Sequence, residues 1–214
     1  MKRLKDEFLD IVNKHTPLDG LAVLEIGCGI GSRSIAIASM CRSLQAIEPD
    51  VVLVETAKEK NSRDNIQYQS GSAEKLPFLD KTFDTVIFTL SFHHIEFEKM
   101  TIALAEAVRV TKKGGHIVFL EPEFQGSYFE AEILFDAGDG DERAQKARAY
   151  SEILTCDLYK EIVEISDETI FQLDSEADFV ASFNPKKNLE KLPKFLQTHN
   201  FILNAQRRIN IFSV

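Results

Sequence analysis

Val23-Leu24-Glu25-Ile26-Gly27-Cys28-Gly29-Ile30-Gly31 decides the fold of this chain. An apolar run ends in an acid and three glycines at alternate positions, and a helical pattern follows at once. That order reads as a buried parallel strand turning sharply into a helix. The glycines allow positive φ and let a ligand approach the main chain with no Cβ in the way. A lone G-x-G-x-x-G says little about the ligand, but the spacing here is the tighter Glu-x-Gly-x-Gly-x-Gly.

Working outward, a strand is expected over 21–26 and a helix over 32–40. A second strand, 44–47, ends at Glu48. Pro49 fixes the entry to a helix that Asp50 caps and that runs to Glu59. Strands follow at 66–70 and 83–90, the latter a nearly continuous apolar run of the kind central parallel strands show. A helix over 97–111 and the turn Gly114-Gly115 lead to a strand over 116–120. Strand and helix alternate up to Glu121, which means a parallel sheet with helices on both faces. Beyond it, 124–159 reads as mostly helical, broken by the acidic turn Asp136-Ala137-Gly138-Asp139-Gly140-Asp141-Glu142. Strand-like alternation returns over 161–173, helical stretches over 175–183 and 187–199, and 208–214 alternates like an edge or antiparallel strand. At the other end, Leu4, Phe8, Ile11, Val12 and His15 recur at helical spacing, so a short amphipathic helix is expected before Pro17.

Composition narrows the function. A chain of 214 residues with 44% hydrophobic content suits one α/β domain with a proper core. The net charge of −9 argues against a phosphate backbone as partner, and Lys112-Lys113 and Arg207-Arg208 are too short for a basic stripe. Three scattered cysteines form no C-x-x-C pair and fit a reducing compartment. The opening Met1-Lys2-Arg3-Leu4-Lys5-Asp6-Glu7 carries both signs of charge where a signal peptide would be apolar. No run approaches the roughly 20 apolar residues of a membrane span. A cytoplasmic protein is expected. Cys28 reads as a small residue fitting a crowded turn, and the acidic turn, lacking calcium-loop spacing, as a solvated loop.

Glu48 ends the second strand at roughly the ~20-residue interval at which an acid after a glycine turn grips a ribose. Taken together, these segments resemble the class I S-adenosylmethionine-dependent methyltransferases, most closely the type 11 group. The resemblance rests on 23–31, Ala46-Ile47-Glu48-Pro49-Asp50, 70–78, 83–94 and 108–120, in the family's order. It implies a Rossmann-like, doubly wound, mostly parallel seven-stranded sheet with a reversed final strand. It divides the single domain into a cofactor-binding core (1–123), a variable acceptor-side cover (124–200) and a terminal strand (201–214). It also places S-adenosylmethionine on particular residues. Gly27, Cys28 and Gly29 would lie under its methionine and ribose, and Glu25 would orient its amino group, directly or through water. Glu48 would hold the ribose and Pro49 the adenine face. Ser72 and Ala73 would meet the adenine edge, and Leu90 the sulfonium end. Ser72 stands where the family usually has Asp, and a hydroxyl accepts more weakly than a carboxylate.

Methyl transfer asks mainly for placement of a nucleophile in line with the methyl group; a base is needed only where the acceptor must lose a proton. His93 and His94 after the fourth strand, and Glu121 and Glu123 after the fifth, stand at the carboxyl ends where ligands of open sheets lie. His93 and His94 are adjacent and point differently, so no metal pair is expected. Tyr128 and Phe129 read equally as a lid over a small-molecule acceptor and as core. Two other classes share some of these features. An NAD(P)-dependent oxidoreductase would need a site such as Tyr-x-x-x-Lys, which none of the four tyrosines supplies. A nucleic-acid amino-methylase would carry Asn/Asp-Pro-Pro-aromatic after the fourth strand, where this chain has Ser91-Phe92-His93-His94. A non-catalytic, cofactor-binding partner subunit is the remaining alternative.

Overall fold

The computed structural model describes residues 1–214 and is built on one eight-stranded sheet. Its strands are β1 (Lys2–Lys5), β2 (Ala22–Ile26), β3 (Ser43–Glu48), β4 (Ile66–Ser70), β5 (Phe83–Thr89), β6 (Thr111–Pro122), β7 (Lys160–Gln172) and β8 (Ile202–Ser213). They lie in the order β1-β7-β8-β6-β5-β2-β3-β4. From β4 to β6 every pair is parallel, and β8 is antiparallel to both β6 and β7. The mostly parallel α/β architecture with a reversed last strand is therefore present.

Strands β2, β3, β5 and β6 divide their side chains between two cores, as period-2 alternation requires. Leu24, Ile26, Val86, Phe88, Ile117 and Phe119 face α4 (Phe97–Val110) and α6 (Arg143–Thr155). Val23, Leu44, Ala46, Ile87 and Val118 face the other way, toward α1 (Phe8–His15), α2 (Ser34–Ala38) and α3 (Val51–Lys60). A third cluster, built on Phe135, Phe179, Phe183 and Phe195, joins α5 (Ser127–Phe135), α7 (Glu176–Phe183) and α8 (Leu192–Thr198). These helices pack against Leu203 of β8.

Two expectations change. The sheet has eight strands rather than seven, and the extra one comes from the segment read as the start of the first helix. Lys2–Lys5 pairs antiparallel with β7, Arg3 opposite Phe171. Leu4 is 48% exposed and belongs to no apolar stripe; the buried face of α1 begins at Phe8. The open edge of β7 offers unpaired backbone groups that outweigh weak helical spacing in so short a segment. The strand expected over 208–214 in fact begins at Ile202, because β7 supplies a partner along its whole length. No helix is long and apolar enough to cross a membrane.

Candidate functional site

A cavity of about 620 Å³ opens at the carboxyl ends of β2, β3 and β5. Its floor is the glycine turn. The amides of Gly27 and Cys28 both donate to Ile47 O, at 2.9 and 3.0 Å, tying the turn to β3. Gly27 has φ +76°, and a Cβ there would overlap Ser91 Cβ. Gly29, also in the left-handed region, differs: a Cβ added to it would meet nothing within 4 Å, because it points into the open cavity. Glu48 reaches across this floor. Its Oε2 accepts from the Gly29 amide at 3.0 Å and its Oε1 from that of Asp50 at 3.2 Å. Pro49, Ser72, Ala73 and Leu90 also line the cavity, as do Cys28 and Gly29.

Leu90 has φ +57°, uncommon for a side chain of its size. Its amide donates to Leu120 O at 2.8 Å, so the conformation is held by the neighbouring strand while the residue lines the cavity. Glu25 does not reach the cavity. It is fully buried beneath the glycine turn, accepting from Ser34 Oγ at 2.5 Å and Thr89 Oγ1 at 2.9 Å. Burial pushes its carboxyl above the ordinary value, against the pull of those two hydroxyls. Thr89, which does line the cavity, stands between Glu25 and any ligand. Burial, reinforced by the charges of Glu25 and Glu48, also raises the Cys28 thiol, so it is a packed thiol rather than a nucleophile.

Of the candidates after the fourth and fifth strands, His93, His94, Glu123, Tyr128 and Phe129 line a second cavity of about 230 Å³, which shares Arg3, Leu90 and His94 with the first. Tyr128 lines it while packing on Phe171 and Phe183, so it is both wall and core. Glu121 turns away from both cavities. It accepts from the amides of Ser91, Phe92 and His93, and His93 Nδ1 donates to its Oε2 at 2.5 Å. Its work is therefore on His93 rather than on an acceptor. His93 and His94 do not diverge: their ring centroids are 4.1 Å apart and both reach Glu142. They sit in a short 3₁₀ turn, and different ring nitrogens (Nε2 of one, Nδ1 of the other) make up the difference in direction.

Glu142 departs from the solvated acidic loop in which it was read: its side chain is 12% exposed and faces the two histidines. Lys146, buried on α6, lies 3.6 Å from Glu142 and 3.8 Å from Glu132. Burial pushes Glu132 up to about 7, with Lys146 pulling the other way. Besides Glu142, the sequence reading missed Arg3 and Arg33, the cations of the larger cavity. Lys2-Arg3-Leu4-Lys5 does not alternate, so nothing local marked Arg3. Arg33 gave no signal either, since an arginine early in a helix is ordinary.

The family model described as a methyltransferase domain matches residues 24–119 of this chain. Residues 24–119, the segment that carries the glycine turn and Glu48, are thus similar to that methyltransferase domain. An uncharacterized methyltransferase of Anoxybacillus flavithermus is 29% identical over 119 residues, 56% of this chain and 55% of that one. The chain thus spans about half the length of that relative. Among solved structures, a Bacillus halodurans protein assigned as a methyltransferase superposes with TM-score 0.68 at 18% identity, covering 97% of this chain and 99% of its own. A SAM-dependent methyltransferase from Aquifex aeolicus gives TM-score 0.59 at 14% identity over 94% and 88%. At these identities the structures attest the methyltransferase fold.

Proposed function

We propose that this chain moves a methyl group from S-adenosylmethionine to a small-molecule acceptor. The observation that carries the reading is the pairing of a bare Gly29 with the Glu48 carboxylate across the floor of a 620 Å³ cavity. That volume is in the range of ligand pockets, and the floor is space that any side chain at residue 29 would fill. When bound, S-adenosylmethionine supplies a methyl already activated on a sulfonium, and the chain's contribution is binding and placement.

Glu48 is the group for the ribose hydroxyls, at the cost of loosening its bonds to the Gly29 and Asp50 amides. Pro49 and Ala73 are the apolar surfaces for adenine. Ser72 supplies a hydroxyl where the family has a carboxylate, and Glu74 lines the same wall as a second acceptor. Arg3 and Arg33 are the cavity's two cations and the available partners for the methionyl carboxylate. Thr89 relays Glu25 to the amino group. Leu90 closes the floor where the two cavities join. The acceptor enters from the smaller cavity, so its nucleophilic atom comes to the junction beside His94, with His93 held by Glu121 behind it.

Calorimetric titration with S-adenosylhomocysteine and with NADH tests the cofactor. The first is expected to bind and the second not, and tighter binding of NADH would overturn the reading. Transfer of labelled methyl to some member of a metabolite panel separates an enzyme from a binding-only partner subunit.

A further inference from the structure

We propose that His93, His94 and Glu142 form a binding site for a first-row divalent transition ion of the zinc class. The three donor atoms lie within 4.8 Å of one another. His93 Nε2 is 3.6 Å from Glu142 Oε2, and His94 Nδ1 is 3.3 Å from Glu142 Oε1. Two donors each about 2.0–2.1 Å from one tetrahedral ion stand about 3.3–3.4 Å apart. Both edges match that spacing to within a few tenths of an ångström.

The hydrogen bonding around the cluster points the same way. His93 Nδ1 donates to Glu121, itself fixed by three backbone amides, so Nε2 is the ring nitrogen left to face Glu142. It lies 3.6 Å from Glu142 Oε2, a buried carboxylate oxygen with no hydrogen-bond partner. Lys146 Nζ, 3.6 Å from the same oxygen, is too far for a good hydrogen bond and is shared with Glu132. A carboxylate holding the far nitrogen of a ligating histidine is the usual outer support of a metal site.

An entry path also exists. A surface recess of about 340 Å³, with Glu96 and Glu98 in its walls, leads to all three donors. An N,N,O donor set suits zinc and its neighbours rather than magnesium or calcium. On its other side the cluster lines the acceptor cavity, so an open coordination position would face an incoming thiol, hydroxyl or amine and lower its pKa. That consequence rests on the methyl-transfer reading; binding of the ion does not.

The full chain, tag-free and dialysed against chelator, is titrated with Co²⁺ and then Zn²⁺, without cofactor or acceptor. One equivalent of Co²⁺ is expected at micromolar affinity or tighter, with visible d–d bands of low coordination number that Zn²⁺ abolishes. His94→Ala alters a half-exposed side chain and Glu142→Gln keeps the shape; each is expected to weaken uptake by about tenfold or more with circular dichroism unchanged. Absence of uptake below millimolar Co²⁺, or an affinity unchanged in either variant, overturns the site. Because no methyl transfer is measured, an inactive enzyme that binds the ion counts against the proposed function and not against this one.

Discussion

Gly27 and Glu48 show how single residues make the glycine turn a binding floor. Gly27 sits at φ +76° with Ser91 against its α-carbon, and Ser91 Oγ donates to Ile26 O at 2.6 Å, pinning β5 to the turn. Gly27→Ala therefore meets both a disfavoured backbone angle and an overlap, and should cost about 2–4 kcal/mol. Ser91→Gly in the same chain should recover the part due to overlap but not the part due to φ. Urea unfolding of the two single variants and the double variant measures this; strictly additive losses would show that Ser91 is not the obstacle. Glu48 is different, because its neighbours are backbone amides that water can serve. Glu48→Ala should leave the fold intact and weaken S-adenosylhomocysteine by about 10–100-fold, the value of charged hydrogen bonds to two hydroxyls. Calorimetry decides it, and an unchanged affinity removes Glu48 from the ribose.

At the scale of elements, the N-terminal strand β1 and the helix after it are joined by one carboxylate. Asp6 accepts from Arg207 at 2.8 Å and from Arg33 at 3.0 Å, and pairs with Arg3 at 3.1 Å. It thus braces both cations of the larger cavity against the buried end of β8. Burial alone would raise the Asp6 carboxyl, but the Arg207 hydrogen bond and the Arg33 charge outweigh it and hold the group well below its ordinary 3.8. A depressed carboxyl adds stability above its unfolded value and loses it as pH falls through the folded one. Asp6→Asn should accordingly cost about 2 kcal/mol near neutrality, with the gap to the parent narrowing below about pH 4. Urea unfolding at both pH values tests this, and a gap independent of pH would mean the loss is packing. The brace also explains what the sequence could and could not say. The parallel half was legible because strands such as Val86-Ile87-Phe88 are apolar on both faces, and Glu48 because a glycine turn sets its distance. Arg33 meets Asp6 across 27 positions, Arg3 lies over the ring of Phe171, and Glu142 sits at the end of a loop that looks solvated; no local pattern encodes such meetings.

Across the whole molecule, the cavity draws its lining from several elements between Arg3 and Glu96, so a ligand there ties together strands that lie far apart in the sheet. The glycine turn belongs to β2, Glu48 to β3, Leu90 follows β5, and Arg3 comes from the edge strand beside β7. A ligand joining them binds only the folded chain and must stabilise it by mass action. At about a hundred times its dissociation constant the gain is about 2.7 kcal/mol. For a chain of this length that raises the melting temperature by about 5–10 °C. In Glu48→Ala, with affinity lower by about thirtyfold, the same ligand concentration stands at only about three times the dissociation constant. The gain then falls to about 0.9 kcal/mol, or about 2–3 °C. Differential scanning fluorimetry of the parent and the variant, with S-adenosylhomocysteine and with NADH at equal concentration, reads the difference directly. A shift of the parent by NADH alone, or an equal shift of both proteins, would show that the stabilising ligand does not bridge the glycine turn and Glu48.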